Sequence, residues 1–132
     1  YFNSFGGNPV SCAVGKSVLE VIENENLQNN ALYIGKYFLS ELQKIKNKNK
    51  KYISEVKGRG LFLGLDIIKE SNSLKPNKEL AKKIINFMRE KGILLSTDGP
   101  YDNVIKIKPP LIFNKENVDN VCKNLEIFFK KI

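Results

Sequence analysis

The sequence contains no histidine and only two cysteines among its 132 residues. Ser-His-Asp and Cys-His nucleophile systems need an imidazole, as do most zinc sites, and an all-cysteine zinc site needs four thiolates. No metal is therefore expected. Cys12 and Cys122 lie in different amphipathic patterns, which suits buried, reduced thiols better than a disulfide framework and favours the cytoplasm. Also missing is any apolar run near the roughly 18 residues of a membrane span. The first residues show no basic segment followed by an apolar stretch, so neither an export signal nor a membrane partner is expected. No internal repeat is visible.

What is present suits one domain with its own core: 42% of residues are hydrophobic and 27% charged. Basic residues outnumber acidic ones, 22 to 14, for a formal charge of +8. That balance is compatible with nucleic acid, a membrane surface or anionic metabolites. The densest basic run is KIKNKNKK, Lys44 to Lys51. It closes a helical pattern, where lysine is favourable anyway, and no aromatics interrupt it as a stacking platform would require.

Periodicity orders the chain. Asn8 can cap a helix that begins at Pro9 and runs to about Glu23, with Val10, Val14, Val18, Leu19 and Ile22 at helical steps. A second stripe, Leu27, Ala31, Ile34, Phe38, Leu42 and Ile45, predicts a second helix ending in KNKNKK. The period then changes: Leu61, Leu63, Leu65 and Ile67 alternate as in a strand, with Ile53 to Val56 as a partner across Gly58 to Gly60, glycines that suit a turn or a bulge equally. Leu80 to Met88 form a third helix that Gly92 ends. Ile93 to Leu95 reads as a short strand and STDGPYDN as a turn region. Ile105 and Ile107 then alternate with Lys106 and Lys108, putting both lysines on one face, and Asn114 caps a last helix. Helices followed by short strands predict an α/β or α+β two-layer domain, its small sheet covered by helices.

Three stretches in order, FNSFGGNPVSCAVGKSVLEVI, VKGRGLFLGLDII and GILLSTDGPYDNVIKIKPPLIF, resemble the C-terminal part of class III aminotransferases, the pyridoxal-phosphate enzymes of fold type I. The wording of GGNPVSCAVG and NVIKIKPPL is most similar to the alanine-glyoxylate aminotransferase-like branch that includes ethanolamine-phosphate phospho-lyase. The resemblance implies a homodimer acting on a small amine or amino acid. It implies a division into residues 1–24, the end of the large cofactor-binding domain with its linking helix, and residues 25–132, a small C-terminal domain with a short, mostly antiparallel sheet. It implies that Ser4, where threonine is usual, binds the phosphate of pyridoxal phosphate held by the neighbouring subunit. A hydroxyl beside a helix N-terminus suits a dianion; the plainer reading is that Gly6, Gly7 and Asn8 make a tight cap. The Schiff-base lysine and the aspartate facing the pyridine nitrogen lie upstream of GGNP in that family. On this reading the chain is a fragment with no catalytic residue of its own and is inactive alone.

Lys106 stands where many of these enzymes carry an arginine that grips the substrate carboxylate. Lysine offers a compact charge instead of a planar fork, which suits a phosphomonoester better than a carboxylate. The plainer alternative is a solvated strand lysine like Lys108. Lys57 likewise stands where the family's VRGxGL has arginine, which puts any role of that arginine in doubt, and Arg59 reads as surface. The functional expectation is the C-terminal part of a pyridoxal-phosphate-dependent class III aminotransferase-like enzyme, with ethanolamine-phosphate phospho-lyase as the specific activity that Lys106 favours. The alternatives are an ω-amino-acid or alanine-glyoxylate type transaminase, a non-catalytic basic nucleic-acid-binding domain, and a non-catalytic interaction domain derived from the enzyme fold.

Overall fold

Asparagine begins three of the four helices by the same chemistry. Asn8, Asn77 and Asn114 each accept a hydrogen bond from a backbone N–H three residues on, which satisfies one of the donors that a helix start leaves unpaired. The computed structural model describes Asn3 and residues 6–132. Its helices are α1 (Pro9–Asn24), α2 (Leu27–Lys48), α3 (Lys78–Glu90) and α4 (Lys115–Phe129). Its strands are β1 (Ile53–Arg59), β2 (Phe62–Ile67), β3 (Ser96–Asp98) and β4 (Val104–Ile107).

The strands form one antiparallel sheet in the order β1-β2-β4-β3. Leu63 faces Ile107 and Leu65 faces Ile105 across β2 and β4, so their side chains share one face. That face is buried against Phe38, Leu42 and Ile45 of α2, Ala81, Ile84 and Met88 of α3, and Val118, Val121 and Leu125 of α4. The expected α+β two-layer architecture is the one observed, and the β1–β2 hairpin turns at Gly60 as its glycines suggest. α2 crosses that hairpin at Gly35, where an added Cβ would lie 2.2 Å from the Gly60 carbonyl oxygen. Only a residue without a side chain lets the two backbones approach so closely.

Two expectations need correction. The third strand is Ser96–Asp98 within the supposed turn, not Ile93 to Leu95. Its position is set by pairing with β4, Ser96 to Lys106 and Asp98 to Val104, and an edge strand with one wet face needs no apolar run. Cys12 is exposed, whereas Cys122 is buried as expected. Cys12 lies on α1, which carries no buried residue: Val10, Val14, Val18 and Leu19 are all exposed, and Val14, Val18 and Val21 border an open apolar groove with Leu27 and Leu111.

Candidate functional site

A strand pairing of period two puts Lys57, Gly64, Lys106 and Ser96 in one row across all four strands, on the face opposite the core. The next row holds Glu55, Asp66, Val104 and Asp98. Lys106 therefore points outward, as the alternation of NVIKIK predicts, while Ile105 and Ile107 are buried beneath it.

Between the two lysines lies Gly64. Its backbone is in an ordinary conformation, so no left-handed φ demands glycine there; a Cβ would crowd Val104, and its absence leaves the floor of a hollow of about 370 Å³. Lys57, Phe62, Asp98, Val104 and Lys106 form the walls. Glycine inside a strand is costly and marks a place where something can approach the backbone.

Each lysine has a carboxylate partner. Lys57 Nζ lies 2.7 Å from Asp66 Oδ2 and 3.9 Å from Glu55, and the hydrogen bond to Asp66 pushes its pKa up. Lys106 Nζ donates to Asp98 Oδ2 at 3.0 Å. Asp98 Oδ1 accepts the Gly99 N–H at 2.8 Å. The Lys106 ammonium, and then the Gly99 amide, hold the Asp98 carboxyl below the usual aspartate value.

Ser4 lies outside the described residues. Later in the chain, Asn8 accepts the Ser11 N–H at 3.0 Å, and Gly7 adopts a left-handed φ of 78° with nothing near where a Cβ would stand. Bare glycine backbone at the positive end of α1 fits a phosphate group. Sequence reasoning missed Asp98, which sat inside an apparent turn; the alternation of Ser96 and Asp98 about half-buried Thr97 was the only available signal. The basic run is partly neutralised, because Lys44 pairs with Glu41 and Lys48 with Glu126. Arg59 is exposed. Among the described residues no acidic, cysteine or histidine cluster could hold a metal ion, and no helix is long and apolar enough to cross a membrane.

Against known proteins, residues 2–129 match the family model described as aminotransferase class-III. The chain is 46% identical over 120 residues to an alanine–glyoxylate aminotransferase 2-like protein of Drosophila melanogaster, covering 90% of this chain and 24% of that protein. It is 42% identical over 119 residues to an ethanolamine-phosphate phospho-lyase homolog of Caenorhabditis elegans, covering 89% and 25%. A solved phospholyase from Arthrobacter in complex with phosphoethanolamine superposes with a TM-score of 0.93 at 42% identity, over 100% of this chain and 31% of the other. The chain thus spans about a quarter of the length of these curated relatives. With a match that runs almost from end to end, the chain belongs to the class III aminotransferase family, whose members are pyridoxal-phosphate-dependent aminotransferases and phospho-lyases.

Proposed function

We propose that this chain is the C-terminal part of a pyridoxal-phosphate-dependent phospho-lyase, and that Lys106 holds the phosphate end of a small amine substrate such as phosphoethanolamine. The observation that carries the reading is Lys106 itself, half-buried on the outer face of the sheet and bordering the hollow above Gly64. The likeness to a phospholyase described with phosphoethanolamine supports it.

The bound cofactor would supply electron withdrawal at the carbon that carries the substrate nitrogen. Lys106 would orient the substrate by its anionic end and stabilise the charge that grows on phosphate as it leaves the neighbouring carbon. Ser4, with the glycine backbone at the start of α1, would hold the phosphate of the cofactor in the neighbouring subunit of a homodimer. Residues 1–24 would then belong to the end of the large domain, and residues 25–132 to the small domain. The exposed apolar face of α1 supports that division, because such a face calls for a cover. On this reading the 132-residue chain alone is inactive, since the Schiff-base lysine lies upstream. Unpaired Cys12 and Cys122 fit a reducing compartment such as the cytoplasm.

The alternative is a transaminase of the ω-amino-acid or alanine-glyoxylate type, in which Lys106 would orient a carboxylate; a lone ammonium does this less selectively than a guanidinium fork. The test compares wild-type and Lys106→Ala full-length protein on phosphoethanolamine. The variant should raise KM and lower kcat together. An unchanged rate would return Lys106 to the solvated surface.

A further inference from the structure

The two ion pairs on the outer face are built differently. Asp66, the partner of Lys57, has a side chain only 18% exposed and sits inside β2. Asp98, the partner of Lys106, is 57% exposed. It ends the three-residue edge strand β3 and is followed by Gly99, in a left-handed conformation. The carboxylate of the Lys57 pair is therefore the more enclosed of the two, and the Lys106 pair can open by rotation of the exposed Asp98 side chain.

Resting on the reading of Lys106 given above, we propose that Asp98 is a built-in competitor for that ammonium: it occupies Lys106 when no substrate is bound, and returns to displace the phosphate product. The hollow over Gly64 gives an anion room to reach Lys106, since no side chain fills the row between Lys57 and Lys106. A Cβ at residue 64 would press to 3.1 Å on Val104 and lie 3.7 Å from the Lys57 stem.

The exchange has a thermodynamic signature. A competitor tethered inside the protein weakens every anion that uses Lys106 by one common factor, because each must break the same contact. A residue that merely positions Lys106 does the reverse, and its removal weakens binding. For a partly exposed pair the factor is roughly two- to fivefold.

The experiment uses full-length, cofactor-loaded protein. Calorimetric titration with inorganic phosphate and, separately, with acetate is run on wild type, Asp98→Asn, Lys106→Ala and the double variant, with KM for phosphoethanolamine as a second readout. Asp102→Asn is the control: it removes one negative charge from the same loop, where Asp102 pairs with Lys78 at 2.7 Å and its left-handed φ suits asparagine. Asp98→Asn should tighten phosphate and acetate and lower KM by the same roughly two- to fivefold factor. The gain should vanish in the Lys106→Ala background, and Asp102→Asn should leave all three unchanged. If Lys106→Ala weakens anions while Asp98→Asn weakens them too or changes nothing, Asp98 is no competitor, although Lys106 keeps its role. Equal tightening by Asp102→Asn would reduce the effect to general charge and overturn the inference. Anion binding unaffected by Lys106→Ala would overturn the reading of Lys106 and this inference with it.

Discussion

Substituting the two helical glycines, Gly15 and Gly35, by alanine should have opposite effects. Alanine is favoured over glycine inside a helix by about 1 kcal/mol, so a helical glycine without a packing reason is a weakness. Gly15 in α1 is exposed, and a Cβ there would meet nothing within 4 Å. Gly35 in α2 is buried, and its Cβ would lie 2.2, 2.4 and 2.6 Å from three backbone atoms of Gly60. Ordinary contact begins near 3.4 Å, so α2 and the β1–β2 turn would have to separate by about 1 Å. No side-chain rotation can relieve a contact between backbone and Cβ. Overpacking of this kind costs about 1–3 kcal/mol, and here the upper end applies; subtracting the propensity gain leaves about 2 kcal/mol. For a chain of this length that is a loss of roughly 6–10 °C in Tm. Urea and thermal unfolding of the 132-residue chain, followed by circular dichroism, measure it. Gly35→Ala should fall by that amount, while Gly15→Ala should gain helical ellipticity and up to about 1 kcal/mol of stability. A Gly35→Ala chain as stable as wild type would refute the close approach of α2 to the hairpin.

Four further outcomes are expected. Asn114→Ala should lose about 1 kcal/mol in a urea titration with an unchanged m-value, because the Asn114 side chain accepts the Asn117 N–H at 2.9 Å and no solvent contact replaces that geometry as well; an unchanged midpoint would count against the cap. Burial pushes the Cys122 thiol up to about 12 from its ordinary 9.0, so native iodoacetamide labelling read by mass spectrometry should modify exposed Cys12 and spare Cys122, and comparable labelling of both would contradict the burial. The neutral Cys122 thiol contributes stability that is fully present below pH 9 and drains as pH rises through the window to about 12, by about 1.4 kcal/mol per unit, because the unfolded thiol releases its proton first. Full-length protein mixed with pyridoxal phosphate should show a visible absorption band distinct from that of the free cofactor and should sediment as a dimer; a monomer with no such band would remove the cofactor assignment.

Much of the fold was legible because the buried residues recur at the spacing their element requires. The α2 stripe from Leu27 to Ile45, half-buried Ala31 apart, and the β2 alternation from Leu63 to Ile67 are buried as their periods demand. The outward direction of Lys106 followed from parity alone, since Ile105 and Ile107 fixed the inner face. β3 was hidden because pairing, not hydrophobicity, defines an edge strand, and Asp98 was hidden with it. Periodicity in α1 revealed an apolar face but could not say what covers it, which is why Cys12 read as buried. The role proposed for Ser4 rests on family resemblance, and a hydroxyl before a glycine pair has no signal of its own in spacing or period.

The most direct test of the account is the reaction that the full-length protein performs. Incubated with pyridoxal phosphate and phosphoethanolamine, it should release inorganic phosphate in step with substrate loss, and it should transfer little amino group from an ω-amino acid to a keto-acid acceptor. Brisk amino transfer without phosphate release would contradict the assignment of Lys106 to a phosphate-bearing substrate.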